Sequence, residues 1–233
     1  MYEGSPVAVT SFLSVISKGA VAFIFMTMLF RVFGSMKEIW QVMIISLSLV
    51  TMVIGNLFAL RQQNIKRFLA FSSIAQVGFI LLAISSDDFH MANTAVIYFV
   101  LIYIFSNIAA FGVAAVITEK TGKETIDEYK GLYKTNPLLT WILALALFSL
   151  AGIPPTAGFF GKLFLITAGA AGKAYWLVLV ASLNLIISLY YYLRVVRAVF
   201  MDKNEDPIEP IRLAAPVKLG LLRLLQANRV MEK

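Results

Sequence analysis

Six long apolar runs, separated by short charged connectors, set the pattern of the chain: roughly Pro6 to Phe33, Ile39 to Leu60, Ile65 to Ser85, Ala92 to Thr118, Pro137 to Ala170 and Tyr175 to Phe200. Each is near or above the ~20 residues that an α-helix needs to cross a bilayer. The pattern predicts an all-α, polytopic transmembrane helix bundle. The fifth run is too long for one straight crossing, and its middle, SLAGIPPTAGFFGKLF from Ser149 to Phe164, does not read as a helix. Neither Pro154 nor Pro155 has an N–H to donate, and each would clash with the carbonyl four residues back. Gly152, Gly158 and Gly161 loosen the backbone around them. The helix is therefore expected to break, leaving the carbonyls of Leu150 and Ala151 without their usual partners. At membrane depth such groups survive only inside protein or beside water.

Lys162 lies just past the break. An ionisable residue within a span is costly and marks an ion or proton pathway by default. Lys18 is the second of its kind, about twelve residues or roughly 18 Å into the first run. Ser11, Ser14 and Lys18 recur at i, i+3 and i+7, so a polar stripe of that helix should face the bundle interior. The bland readings are a lysine that snorkels to the interface or one held in a structural contact. Lysine suits proton exchange, because it can give up its proton where arginine cannot. Gln76 with Ser72 and Ser73, Asn107 with Ser106, and Asn184 with Ser188 at i, i+4 are candidate channel-lining polar groups. Taken singly, each is expected as a bond between helices. The tyrosines, Tyr190 to Tyr192 among them, fit an interfacial belt equally well.

Composition narrows the function. The chain is 60% hydrophobic and 14% charged, with a mean hydropathy of +0.82, outside the range of soluble domains. With no cysteine and a single histidine, His90, it offers no thiolate for an iron–sulfur cluster and no set of zinc ligands. The net charge of +7 arises from lysines and arginines at the ends of apolar runs, which speaks for membrane topology and against nucleic acid. Basic residues concentrate in alternate connectors: Arg61, Lys66 and Arg67; then Lys120, Lys123, Lys130 and Lys134; then Arg194, Arg197, Lys203 and Arg212. The positive-inside rule places these in the cytoplasm, so the fifth span descends from cytoplasm to exterior. The connector from Glu119 to Pro137 reads as either a short amphipathic helix or a solvated loop. Residues 1–200 thus form a six-span bundle. Residues 201–233 form a basic tail that reads as an interfacial helix, a frayed end or an altered sequence.

Five separated stretches, MYEGSPVAVTSFLSVISK, NLFALRQQNIKRFLAFSSIAQVGF, DEYKGL, LAGIPPTAGFFGKLFL and LYYYLRVV, resemble the subunit N family of NADH-quinone oxidoreductase, respiratory complex I, over about Tyr2 to Phe200. The lysine in GFFGK is closer to subunit N than to subunit M, where glutamate is usual, and the wording GIPPTAGFFGK sets it apart from subunit L. The resemblance implies a fold of fourteen helices built on two inverted five-helix repeats, each with a discontinuous helix that bears a lysine. This chain would supply the eighth to thirteenth helices, the C-terminal half with the second antiporter-like repeat. The first seven helices are missing from it, and after about Leu222 the tail ceases to resemble the fourteenth, so a fragment or a frame-altered reading is expected. Gln76 stands where some relatives have histidine.

By the same resemblance, energy from NADH-to-quinone electron transfer on other subunits would drive protons across the inner (plasma) membrane. Lys162 would exchange with the outward half-channel, and Lys18 would relay along a central polar axis. Flavin and iron–sulfur clusters would sit on partner subunits and no cofactor in this chain. Its partners would be the lipid bilayer, protons, and the membrane-arm subunits K, M, J and L. A subunit of a cation/proton antiporter or membrane-bound hydrogenase, and an inert scaffold fragment, are the alternatives.

Overall fold

The computed structural model describes residues 7–172, 175–211 and 220, with side chains of the first helix from Ser17 onward. Among these residues there are eight α-helices: α1 Val7–Arg31, α2 Lys37–Arg61, α3 Ile65–Ile84, α4 Phe89–Thr121, α5 Leu132–Thr135, α6 Pro137–Ala151, α7 Ala157–Ala171 and α8 Tyr175–Phe200. All six expected spans are helical, and the fifth is divided into α6 and α7. Helices α2, α3, α4 and α8 are long and apolar enough to cross a membrane, while α6 and α7, at 15 residues each, are not.

Local chemistry fixes the helix ends. Asn64 caps α3 by accepting from the backbone N–H groups of Lys66 and Arg67 at 3.0 and 3.2 Å. Asp88 does the same for α4 through His90 and Met91, at 2.8 and 3.1 Å. Pro137 occupies the first turn of α6, where its missing N–H costs nothing.

The bundle is ordered around α3 and α4. Helix α3 packs on α2, α4 and α7, and α4 packs on α1, α6 and α7, while α8 leans on α6 and α2. Helix α2 is amphipathic only in the membrane sense. Trp40, Ile44, Met52 and Ala59 are buried against its neighbours, while Ile39, Val42, Met43 and Val50 stay exposed on the other side. That is the distribution of a helix at the margin of a bundle in lipid.

The connector after α4 is neither the amphipathic helix nor the solvated loop expected. It runs as turns with a single bridge between Asn64 and Thr125, followed by α5, a helix of four residues. Ile126, Tyr129 and Leu132 are buried within it, because its backbone is taken up by the start of α3 and the end of α8. The N–H of Ile65 donates to Glu124 O at 2.9 Å and that of Gly131 to Ala198 O at 3.1 Å. After α8, residues 201–211 run without helix across the same end, and Ile208 is buried there. The tail readings for residues 212–219 and 221–233 lie outside the described residues.

Candidate functional site

The break is built as its sequence requires. Helix α6 stops at Gly152, whose φ of +79° only glycine adopts without strain. The N–H groups of Gly152 and Ile153 both return to Phe148 O, at 3.0 and 3.2 Å. This is the usual way for a helix to close on a left-handed residue. Pro154 and Pro155 then sit in the non-helical gap with their rings exposed, so neither meets a helical carbonyl. Thr156 is extended, with φ −71° and ψ 151°, and opens α7. Its hydroxyl donates back to Ile153 O at 2.7 Å. Gly158 follows because the turn brings α7 onto the end of α6: a Cβ there would lie 1.8 Å from Ser149 O.

The two orphan carbonyls have found side-chain partners. Lys162 Nζ donates to Ala151 O at 3.1 Å, and Gln76 Nε2 donates to Leu150 O at 3.2 Å. Lys162 is 1% exposed, so it neither faces lipid nor snorkels to an interface. Its amine also reaches the Ser188 hydroxyl at 3.4 Å and lies 5.4 Å from the centre of the Phe79 ring. An ammonium over an aromatic face is attracted by the ring quadrupole. The side chain thus spans the break, from α7 back to the last turn of α6 and across to α8 and α3.

Lys18 is half-buried and donates to Ser73 Oγ at 2.6 Å, and Ser73 in turn donates to Ala70 O at 2.6 Å. It forms part of the wall of a cavity of about 240 Å³ whose other sides are largely apolar, among them Val21, Phe25, Val77 and Ile80. Ser73 and Gln76 are one turn apart on α3, which carries the polar link between the lysines. It runs from Lys18 to Ser73, up α3 to Gln76, and across to Leu150 O, the neighbour of the Ala151 O that Lys162 holds. Gln76 is buried, its Oε1 has no partner among the described residues, and its amide also lies 3.4 Å from the Tyr192 hydroxyl. Beside it is a void of about 10 Å³ bordered by Tyr103, Ser106, Ser149 and Gly158, with Ser106 donating to Ser149 at 2.8 Å. That volume is about the size needed for one water.

The other expected polar groups divide. Ser188 joins Lys162. Asn184 faces α2 instead, where its Oδ1 and backbone oxygen accept from Asn56 Nδ2 at 2.9 and 3.2 Å. Asn107 is buried, and its Nδ2 has no hydrogen-bond partner among the described residues. Ser14 lies outside the described side chains.

Asn56 was not expected from sequence, and Tyr191 and Tyr192 were left between an interfacial belt and a bond between helices. Asn56 accepts from the Tyr191 hydroxyl at 2.9 Å, and Tyr191 and Tyr192 are both buried, with rings 4.7 Å apart and Phe68 edge-on to each. Of the two readings left open for the three tyrosines, only Tyr190, at 63% exposure, fits the belt. The signal was present in the spacing: Asn184, Ser188, Tyr191 and Tyr192 fall at i, i+4, i+7 and i+8, one face of α8.

Comparison with known proteins bears on this arrangement. Residues 1–188 match the family model described as NADH:quinone oxidoreductase/Mrp antiporter, transmembrane. NADH-quinone oxidoreductase subunit N of Phocaeicola vulgatus is 50% identical over 222 residues, covering 95% of this chain and 47% of the relative. Among solved structures, respiratory complex I from Thermus thermophilus with bound aureothin aligns with a TM-score of 0.70 and 30% identity, over 81% of this chain and 42% of that one. The membrane-bound sulfane sulfur reductase, an archaeal respiratory complex, aligns with a TM-score of 0.86 and 25% identity, over 99% and 47%. The chain spans about half the length of the relatives it matches. It belongs to the NADH:quinone oxidoreductase/Mrp antiporter transmembrane family.

Proposed function

We propose that this chain is the C-terminal half of a subunit N of NADH-quinone oxidoreductase and carries protons across the membrane. Lys162 is the exchanging group and Lys18 the relay to the rest of the subunit. One observation carries the reading: a fully buried amine sits at an interrupted helix, where it and Gln76 take the two freed carbonyls, and Ser73, one turn from Gln76 on α3, holds a second, half-buried amine. An unpaired charge in such surroundings is expensive, so the amine responds strongly to any change in nearby charge. That lets events on other subunits load or unload its proton. The 50% identity to a subunit N supports the oxidoreductase over an antiporter or hydrogenase. The burial of Lys162 speaks against an inert scaffold.

On this reading the chain sits in the bacterial inner membrane beside the membrane-arm subunits K, M, J and L. Flavin and iron–sulfur clusters on the hydrophilic subunits supply the electron transfer. This chain holds the proton.

The test is Lys162→Ala and Lys162→Arg in the complete subunit within the assembled complex. Both are expected to reduce proton transfer per NADH oxidised while NADH binding survives. Arginine keeps the charge but does not release its proton. Unchanged pumping in both variants would sink the assignment.

A further inference from the structure

The surroundings of Lys162 differ along the helix axes. Toward the end of the bundle that carries Arg61, Lys66 and Arg194 stands Gln76, one turn from Phe79 on α3, with Tyr192 next to it. Toward the opposite end stand Phe79 and Leu82 of α3, Leu165 and Ala168 of α7, and Leu177 and Ala181 of α8, every one 0% exposed. Helices α3 and α7 touch there: a Cβ on Gly169 would lie 2.6 Å from the Leu82 side chain. The described polar residues of α7 and α8 in this half look elsewhere, and Ser48 of α2 is tied to Gly78 O at 2.8 Å. Thr167 bonds its own helix at Leu163 O, Ser182 bonds Val178 O, and Asn184 faces Asn56. Along α3 the next polar side chains after Phe79 are Ser85 and Ser86, six residues or about 9 Å further on. The Ser85 hydroxyl is turned back onto Leu82 O at 2.7 Å.

Water chains empty out of a narrow apolar constriction, and a dry layer of this depth stops a proton. Phe79 stands at its inner edge, with its ring against the Lys162 amine. We propose that Phe79, backed by Leu82 against Gly169, is the gate of this pathway. The ring holds the protonated amine and shuts it off from the opposite face, and protons leave to that face only when α3 and α7 part at this layer. The inference rests on Lys162 being the proton carrier.

The test uses the assembled complex with the complete subunit, reconstituted in liposomes without NADH, under an imposed membrane potential, with an internal pH dye. Phe79→Ala is expected to raise passive proton conductance at least about fivefold by wetting the layer. Leu163→Ala, on the exposed side of α7, should leave it at the wild-type level. Adding Lys162→Ala to Phe79→Ala should abolish the leak. If Phe79→Ala conducts no more than wild type, or the double variant conducts as much as the single, the gate is refuted. Where Phe79→Ala does not assemble, Leu82→Ala answers the same question with the same outcomes. Normal pumping by Lys162→Ala alone would refute the proton-carrier reading, whatever Phe79 does.

Discussion

Gly158 and Tyr191 show how different kinds of residue hold the site together. Gly158 acts by what it lacks. Its α-carbon lies so close to Ser149 O that the methyl of alanine would fall at 1.8 Å, against backbone that cannot swing away. Gly158→Ala is expected to cost at least about 3 kcal/mol, at the upper end of overpacking penalties. Blue-native electrophoresis should show loss of the assembled complex. Tyr191 acts by a hydrogen bond to Asn56 in a buried setting. Tyr191→Phe should cost about 1 kcal/mol, while exposed Tyr190→Phe costs nothing measurable in a thermal melt of the complex. The lysines and the break were legible in the sequence because they violate rules that hold residue by residue: a charge in an apolar run, a proline pair in a helix. Asn56 was not, and Tyr191 and Tyr192 stayed open between two readings, because a tyrosine looks the same in an interfacial belt and in a core. Only the partner, brought from 135 residues away, separates the two.

Among the elements, the hairpin of α2 and α3 is closely packed along its length. A Cβ on Gly55 would lie 2.6 Å from Ala75 N, and one on Gly78 would lie 2.4 Å from the Met52 side chain. The backbones approach here because no side chain intervenes, the usual solution where lipid gives helices no hydrophobic reason to associate. The Ser48 hydroxyl uses the same approach to reach Gly78 O at 2.8 Å. Gly55→Leu or Gly78→Leu should force the helices apart, shift Ser73 away from Lys18, and lower both the melting temperature and proton transfer. Val50→Leu, on the exposed face of α2, should do neither. Melts and pumping assays of the three variants side by side check this. The existence of every span was readable from hydropathy, since a bilayer imposes length and apolarity on each one separately. The connector was not. Its mixed charges suit a surface helix or a loop, and its course is decided by bonds to distant elements: Asn64 of the α3 cap, Ala198 of α8 and Asn204 beyond it.

Over the whole molecule, the polar ties gather at the end that carries the basic connectors. Lys66 pairs with Glu124, Lys123 meets Asp206 at 2.6 Å, Arg194 donates to Leu60 O and Gln62 O, and Asn136 holds Glu209 O and the Ile211 N–H. These ties pull the α2–α3 turn, the connector and the segment after α8 into one platform above the site. Two carboxylates organise it. The Glu124 carboxyl lies below the usual range chiefly because Lys66 and then Asn64 donate to it. Glu128 is lowered by the Thr125 backbone N–H and then by its hydroxyl, at 2.7 Å each. A carboxyl whose folded pKa lies below its unfolded one adds stability that is fully present above the unfolded value. That stability drains away as pH falls through the folded value. With an unfolded glutamate near about 4.3, the platform should be intact from neutral pH down to about 5 and loosen below about 4. Hydrogen exchange at Thr125 to Leu132, corrected for the intrinsic pH dependence, should accelerate in that window. Glu128→Gln at pH 7 should reproduce part of the loosening, because a neutral amide accepts less strongly from the two backbone N–H groups that this carboxylate holds. If exchange in the variant matches wild type at pH 7, something other than the carboxylates ties the connector down, with the buried Ile126 and Tyr129 as the first places to look.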